Sequence, residues 1–250
     1  MQLAAASHVG LVRKINQDGY LVRQESSGVY VVCVADGMGG HVAGEVASAL
    51  ALSTLWEVLG DQAAETDQSA RLQAAIQAAN EKIHQQANGS EVYTGMGTTI
   101  VAAVADSTYI WIAHVGDSRA YLWRNSGDLT QLTEDHSLVN ELVRRGQIRP
   151  EEALTHPQRH MLTRALGTLP DVVIESRQVS WNRGDILLIC SDGLTTHVSD
   201  DQVQEFLAGD SALQAKLDVL VQTALEKGGH DNVTVAALFN DDGAQRGNAS

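Results

Sequence analysis

Two short apolar segments of this 250-residue chain end abruptly on an Asp-Gly pair, and this pattern strongly constrains the fold. They are VVCVADG, which ends on Asp36 and Gly37, and LLICSDG, which ends on Asp192 and Gly193. Short runs of β-branched and aliphatic residues predict buried strands. A third predicted strand, HDNVTVAALF, carries Asp231 near its start instead of its end. A carboxylate at the mouth of a buried strand has little solvent around it, so it needs a partner.

Carboxylates from distant parts of the chain suggest that this partner is a shared metal site. Each Asp-Gly pair taken alone is more typical of a turn than of a metal ligand. A set of oxygen ligands without Cys or His spacing favours Mg²⁺ or Mn²⁺ over Zn²⁺. Two such ions roughly 3.5–4 Å apart can activate one water and neutralise a phosphoryl group during in-line attack.

The composition limits the partners and the compartment. A formal net charge of −14 argues against nucleic acid or an anionic membrane as a partner, although an acidic surface accounts for most of it. Cys33 and Cys190 lie inside the two apolar runs and are interpreted as buried hydrophobic residues in a reducing compartment. The N-terminus does not resemble a signal peptide, and no apolar stretch reaches the roughly 18 residues of a membrane span. We therefore expect a cytoplasmic protein.

The order of predicted elements indicates antiparallel sheets covered by helices rather than the alternation of a parallel α/β fold. A first hairpin over 11–35 is followed by a glycine-rich loop at 37–44. The remaining predicted elements are helices at 45–59 and 70–88, strands at 98–105, 108–115 and 119–124, an irregular helical segment at 136–165, strands at 172–179 and 185–191, a helix at 211–227 and a strand at 232–239. We predict one domain over 1–240 and a disordered tail at 241–250.

A series of motifs carries a family resemblance; each motif is weak alone, but together and in this order they are specific. In chain order they are VGLVRKINQD, VADGMGGHVAGE, MGTT, HVGDSRAY, LTEDHS, RALG, CSDGL and GGHDNVTV. On these motifs the chain resembles the protein phosphatase 2C family of metal-dependent phosphatases, especially its compact bacterial members, over residues 7–239. The resemblance implies an α+β fold, a four-layer αββα sandwich of two central, mainly antiparallel sheets flanked by helix pairs.

The resemblance also implies a set of metal ligands. Asp36 matches the carboxylate that bridges two ions, and the Gly37 carbonyl matches a ligand of the second ion. Asp192 and Asp231 match the terminal ligands of the first. Asp117, in the turn of HVGDSR, matches an acid that shares a third, weaker ion with Asp192, although its spacing also suits a simple hairpin turn. The implied cofactors are two Mn²⁺ or Mg²⁺ ions, with a third at the weaker site.

Three further residues receive roles from the same resemblance. Arg13 matches the guanidinium that grips the substrate phosphate, a task that suits its planar fork of donors. Asp18 matches an acid that holds metal-bound water, and His41 matches the histidine that protonates the leaving oxygen. The implied reaction is direct attack of a metal-bridging hydroxide on phosphoserine or phosphothreonine, without a covalent phosphoenzyme. Without the resemblance His41 would not stand out, since the chain has nine histidines.

One departure from the family pattern and one variable segment affect these expectations. The first motif has Gln17 where the family usually has Glu, which predicts weaker binding at one metal or a changed metal preference. The segment 136–165, which matches a variable flap beside the active site, contains five arginines and three acids, a net charge of +2. It is interpreted either as a docking surface for acidic phosphopeptides or as an ordinary surface with salt bridges. The sequence favours neither interpretation.

Other phosphatase and hydrolase classes fit the chain poorly. A cysteine-dependent phosphatase needs an arginine six residues after its cysteine, but Gly39 follows Cys33 and Thr196 follows Cys190 at that distance. A serine nucleophile at Ser118 is disfavoured because a predicted strand follows it, whereas a nucleophile elbow needs a helix.

The remaining alternative is a regulatory or binding module that keeps the fold but has lost turnover, and Gln17 is the feature in its favour. The main hypothesis has phosphorylated proteins as partners, as substrates that cytoplasmic Ser/Thr kinases have modified. It includes neither a nucleic acid nor a membrane partner, and we expect a monomer.

Overall fold

The computed structural model describes residues 1–40, 42–61, 67–153 and 155–241. His41 and the predicted tail beyond residue 241 lie outside these described residues. None of the helices within them is both long enough and apolar enough to cross a membrane.

The strands form two antiparallel sheets. One sheet has the order β1-β11-β10-β7-β8, and the other has the order β2-β3-β5-β6-β9 with β4 paired to β3. The strands are β1 (Gln2–His8), β2 (Asp18–Gln24), β3 (Tyr30–Met38), β4 (Gly97–Thr98), β5 (Ile100–Ala105), β6 (Tyr109–Val115), β7 (Arg119–Trp123), β8 (Leu129–Gln131), β9 (Glu175–Ser180), β10 (Ile186–Cys190) and β11 (Val233–Phe239).

Helices cover the outer faces of both sheets, which gives the α+β fold that the resemblance implied. The helices are α1 (Ala43–Asp61), α2 (Gln68–Gly89), α3 (Leu138–Arg144), α4 (Pro150–Ala153), α5 (Asp192–Thr195), α6 (Asp200–Ala208) and α7 (Leu213–Glu226). The first two pack on the sheet of β3, and α6 and α7 pack on the sheet of β10. The helical but irregular segment predicted at 136–165 contains the short helices α3 and α4.

Burial on both faces explains why the two Asp-Gly segments are continuously apolar. Along β3, Val31 and Cys33 contact the α1–α2 layer, whereas Val32 and Val34 lie between the two sheets. Successive side chains of a strand point to opposite faces, so a strand in the middle of four layers is apolar at every position. The free thiols Cys33 and Cys190 are both buried, as their place in these runs predicts.

The predicted first hairpin is wrong at its beginning, because strand β2 begins at Asp18 and not at residue 11. Residues 11–17 form a loop, and its backbone hydrogen bonds are not those of a paired strand. Leu11 N donates to Gly229 O over 2.7 Å, and the Asn232 side chain donates to Ile15 O over 3.0 Å. Arg13 therefore lies in a loop, not on a strand, and this loop borders the end of the sandwich where the Asp-Gly pairs lie.

Several short elements were missed by the sequence prediction, namely β1, β8, α5 and α6. Strand β1 has no apolar alternation, and it is stabilised by pairing with β11 along its whole length. Helix α6 has a capping box between Ser199 and Gln202, a local signal that the sequence did contain.

Candidate active site

A cavity of about 530 Å³ opens at one end of the two sheets. Antiparallel pairing places it there, since the end of one strand lies beside the start of its neighbour. Thus Cys190 at the end of β10 faces Arg119 at the start of β7 and Val235 near the start of β11. The cavity brings together six of the predicted site residues: Arg13, Asp36, Gly37, Asp117, Asp192 and Asp231.

The backbone at Asp36 is held by two threonines of the MGTT motif. Thr99 N donates to Asp36 O over 2.8 Å, and Asp36 N donates to Thr99 Oγ1 over 3.1 Å. Thr98 Oγ1 also donates to Asp36 O over 2.9 Å. These bonds fix the direction in which the Asp36 side chain leaves the strand.

Gly37 lies where no side chain fits. A methyl group in its place would overlap the carbonyl oxygens of Gly44 and Gln17. The close packing of the first turn of α1 and of the loop at Gln17 against β3 keeps the Gly37 backbone at the wall of the cavity. The requirement for glycine is therefore steric, and the residue can offer only its backbone to a ligand.

Asp18 lies directly beside Asp36, since the two residues are paired across β2 and β3. Ser191 Oγ donates to Asp18 Oδ2 over 2.7 Å, but Oδ1 is buried without a hydrogen-bond partner among the described residues. Burial raises the pKa of Asp18 to about 7, with the hydroxyl groups of Ser191 and Thr234 opposing the rise. A buried acceptor of this kind is costly unless something binds it.

The other carboxylates of the cavity share this electrostatic strain. Burial raises the pKa of Asp117 to about 7, and repulsion by Asp192 contributes. Burial and the neighbouring carboxylates also raise the pKa of Asp36 and of Asp192. Close, buried carboxylates favour protonation because their negative charges repel one another in a medium of low polarity.

Arg13 is the guanidinium that the described chain brings to this cluster. Its Nη2 lies 2.7 Å from Asp231 Oδ2, and both side chains are about half exposed. The hydrogen bond and charge of Asp231 raise the pKa of Arg13, so that its positive charge is permanent. One cation does not balance four clustered carboxylates.

The donor set fits hard divalent cations. It consists of carboxylates and a backbone carbonyl, it is partly buried, and its negative charge is in excess. Mg²⁺ and Mn²⁺ prefer oxygen ligands of this kind, and they would relieve the repulsion and satisfy the buried carboxylate oxygens. The residues able to hold such ions are Asp36, Asp192, Asp231, Asp117 and the Gly37 carbonyl.

Residues around this set hold its loops together. Asn232 Oδ1 accepts from Gln17 N over 2.8 Å, while its Nδ2 donates to Val9 O and Ile15 O. Ser118 Oγ and Thr99 Oγ1 lie 2.8 Å apart, and Ser118 is buried directly before strand β7. These contacts agree with the interpretation of Ser118 as a structural residue rather than a nucleophile.

The cavity also contains residues that sequence reasoning did not place there. His160, Thr196, His197 and His230 line it, and the rings of His197 and His230 stack with centroids 5.1 Å apart. The position of His230 beside Asp231 was a signal, but nothing in the sequence linked His160 or His197 to the site. They reach it because the flap and helix α5 fold against its rim.

The flap arginines are mostly paired with acids. Each of four lies 3.4 Å or less from a carboxylate oxygen, and the pairs are Arg144–Glu134, Arg145–Glu141, Arg149–Glu152 and Arg164–Glu175. These contacts match the ordinary salt-bridged surface. The exposure of Arg144 and Arg145, at 60% and 68%, keeps the docking hypothesis testable.

The fold and the site together define a class: an α+β sandwich whose oxygen-lined cavity suits divalent cations and whose guanidinium suits a phosphate group. The sequence profile described as protein phosphatase 2C matches residues 8–234. The chain is 42% identical over 235 residues to the serine/threonine phosphatase stp of Listeria monocytogenes, which covers 93% of both chains. It therefore belongs to the protein phosphatase 2C family.

Two solved structures show the same fold. The chain superposes on the serine/threonine phosphatase PstP/Ppp of Mycobacterium tuberculosis with a TM-score of 0.87 at 40% identity, over 95% of this chain and 98% of that one. A second is the catalytic domain of a serine/threonine protein phosphatase PstP in complex with two manganese ions. Its TM-score is 0.84 at 38% identity, with 94% of this chain and 96% of that chain covered.

Proposed function

We propose that this chain is a Mg²⁺- or Mn²⁺-dependent protein serine/threonine phosphatase that uses the carboxylate cavity as its active site. The observation that carries the proposal is the excess of clustered carboxylates around Asp36, together with the unpartnered oxygen of Asp18, in a member of this family. Asp36, Asp192, Asp231 and the Gly37 carbonyl hold two ions. Asp117 holds a third and weaker ion together with Asp192.

The ions, when bound, supply an activated water nucleophile and neutralise the charge of the phosphoryl group. The described residues contribute positioning and charge. Asp18, fixed by Ser191 Oγ, has a second oxygen that would be free to orient water beside bound ions. Rigid placement of this kind lowers the barrier, because the site need not reorganise during the reaction.

Arg13 binds two phosphate oxygens of the substrate. A guanidinium has five N–H donors, so the bond from Nη2 to Asp231 leaves donors that can reach a phosphate. The bond to Asp231 also sets the direction of the side chain, which ties phosphate recognition to one of the proposed metal ligands.

His41 donates the proton to the departing serine or threonine oxygen, directly or through water. An imidazole that titrates near neutrality suits a general acid. The residue lies outside the described part of the chain, so its role follows from its place in the motif VADGMGGHVAGE. The reaction has no covalent phosphoenzyme.

The proposed substrates are phosphoserine and phosphothreonine proteins modified by cytoplasmic kinases, and the proposed state is a monomer. The similarity to a serine/threonine phosphatase over almost the full length of both chains supports this substrate class.

The deciding experiment is hydrolysis of a phosphothreonine peptide by the wild type and by Asp36→Ala, each with Mn²⁺, with Mg²⁺ and with EDTA. We expect turnover that needs one of the ions and disappears in the variant. Absence of turnover in a wild-type protein that still binds manganese would instead support a regulatory module.

A second experiment tests the docking hypothesis for the flap. Charge reversal at Arg144 and Arg145 should raise KM for acidic phosphopeptides but leave KM for a small aryl phosphate unchanged. Equal effects on both substrates would reject docking and leave these arginines as surface salt-bridge partners.

A further inference from the structure

A second cluster of ionisable side chains lies below the turn that carries Asp117. It consists of His114, His136, Arg164 and Glu175, and we call it the hinge cluster. His114 and His136 are buried, with their rings stacked at a centroid distance of 4.8 Å. The four residues come from β6, from the two ends of the flap, and from β9.

The spacing of three members resembles that of a metal site, but a guanidinium already contacts two of them. The ligand atoms of His114, His136 and Glu175 lie within 4.8 Å of one another. Arg164 Nη1 lies 2.8 Å from Glu175 Oε1 and 3.1 Å from His136 Nε2. The positive charge that balances Glu175 is therefore that of Arg164, and a metal ion at this place would be repelled.

Hydrogen bonds determine which nitrogen of His136 carries its proton. Gly116 N donates to His136 Nδ1 over 3.0 Å, so Nδ1 must present a lone pair. In a neutral imidazole the proton is then on Nε2, which lies 3.1 Å from Glu175 Oε1 and donates to it. Arg164 Nη1 then donates to Glu175 Oε1 over 2.8 Å and not to the imidazole. Without this carboxylate, Arg164 would donate to Nε2 and the proton would move to Nδ1.

His136 connects the Asp117 turn to both ends of the flap. Besides the side-chain bond, His136 N donates to Gly116 O over 3.0 Å. The carbonyl of His136 accepts from Thr163 N over 2.8 Å, at the far end of the flap. The tautomer of one buried imidazole therefore decides the bond to Gly116 N, directly before Asp117, in a residue whose backbone also holds the base of the flap.

We propose that Glu175 is a positioning residue of the active site, since it fixes the tautomer of His136 and thereby the Asp117 turn and the flap base. The proposal rests on the proposed function for its catalytic consequence. Its structural part concerns the metal-free protein and can be measured without turnover.

The test compares Glu175→Leu with Glu134→Leu by ¹⁵N NMR of the imidazoles and by amide hydrogen exchange, both in EDTA. Glu134 is a matched control because its side chain also pairs with a flap arginine, Arg144, over 3.0 Å. Its contact with the hinge cluster, at His114 Nε2, is made by the backbone, which the substitution keeps. In Glu175→Leu we expect the His136 proton on Nδ1 and exchange of Gly116 N–H about tenfold faster. Glu134→Leu should change neither.

A second variant, His136→Asn, separates an effect through the tautomer from a general destabilisation of the protein by Glu175→Leu. The side-chain oxygen of His136→Asn can accept from Gly116 N–H, but it has no tautomers. In this background Glu175→Leu should not accelerate Gly116 exchange further. If the protein hydrolyses phosphopeptides as proposed, Glu175→Leu should raise the Mn²⁺ concentration for half-maximal turnover about fivefold, and Glu134→Leu should leave it unchanged.

An unchanged His136 tautomer and unchanged Gly116 exchange in folded Glu175→Leu would overturn the proposal. Equal acceleration in the presence of His136→Asn would overturn it as well. Both results are independent of whether the protein hydrolyses phosphopeptides, so failure here is distinguishable from failure of the proposed function.

Discussion

Strand β10 has an aspartate next to each end, and the surroundings of the two residues differ. Asp185, directly before the strand, accepts hydrogen bonds from Asn125 N, Asn182 N and Arg124 Nη1 over 2.8–3.1 Å. Asp192, beyond the other end, shares its surroundings with Asp36 and Asp231. The chain thus satisfies a buried carboxylate by itself at one end, while at the other it concentrates carboxylates that need an external cation.

The largest expected effect is on catalysis, and it should differ between the aspartates at the two ends of β10. Asp192→Asn should lower kcat/KM for a phosphothreonine peptide about a thousandfold or more, because it removes a proposed ligand of the ions. Asp185→Asn should leave kcat/KM per folded molecule unchanged. The measurement is steady-state hydrolysis at saturating Mn²⁺.

The same pair should shift stability in opposite directions in EDTA. Asp185→Asn should lower the free energy of unfolding by about 1–3 kcal/mol, since buried donors lose their charged acceptor. Asp192→Asn should raise it, since one of several repelling charges is removed. Two shifts of the same sign in denaturant unfolding would contradict the comparison.

Arginines at the two ends provide the next test. Arg13→Lys should lower kcat/KM about a hundredfold, because an ammonium group cannot hold two phosphate oxygens while bound to Asp231. Arg124→Lys is the control, because Arg124 is also paired with an aspartate, Asp185 at 3.1 Å. Similar losses in both variants would show that the effect is structural rather than phosphate recognition.

The stability of the metal-free protein should decrease with pH. Burial raises the pKa of Asp18 and of Asp117 from 3.8 to about 7. Because these pKa values are higher in the folded state, the folded state binds protons more tightly than the unfolded chain. Stability is therefore greatest below the unfolded pKa and is lost as pH rises through this interval, most of it by about pH 8.

Thermal unfolding in EDTA between about pH 5 and about pH 8 measures this decrease. Asp18→Asn should make the curve flatter. Added Mn²⁺ should protect more strongly at the upper end of the range, since cations and protons compete for the same carboxylates. A Tm in EDTA that does not fall with pH would show that these carboxylates are not strained in the folded protein.

The smallest expected effect concerns Gln17. Its Nε2 donates to Gly39 O over 3.3 Å, a bond that a carboxylate cannot make. Gln17→Glu should nevertheless lower the Mn²⁺ concentration for half-maximal activity about fivefold, because it adds a negative charge to the cavity. Gln24→Glu is a matched control at the far end of β2, since Gln24 Nε2 donates to Gly28 O over the same 3.3 Å. Unchanged metal affinity and turnover in Gln17→Glu would reject the predicted role of this position.

The central strands and the long helices were predictable because their signals are local. Strands β3, β10 and β11 have continuous apolar runs, and α2 is capped by Asp67, whose side chain accepts from Ser69 N and Ala70 N. Strand β1 and the loop over 11–17 were not predictable, since their backbone partners lie more than two hundred residues away at β11 and Asn232. Local patterns cannot specify such pairings.

By itself, the sequence determined the family, the α+β class and the acids of the cavity, because ordered motifs and apolar runs are written in consecutive residues. Only the tertiary structure decided which carboxylates repel one another and which are paired with hydrogen-bond donors. Asp185 and Asp192 are both acids beside the same apolar run, and their difference depends on donors and charges that the fold brings from distant segments. The tautomer of His136 is likewise decided by Gly116 and Glu175, neither of which is near it in the chain.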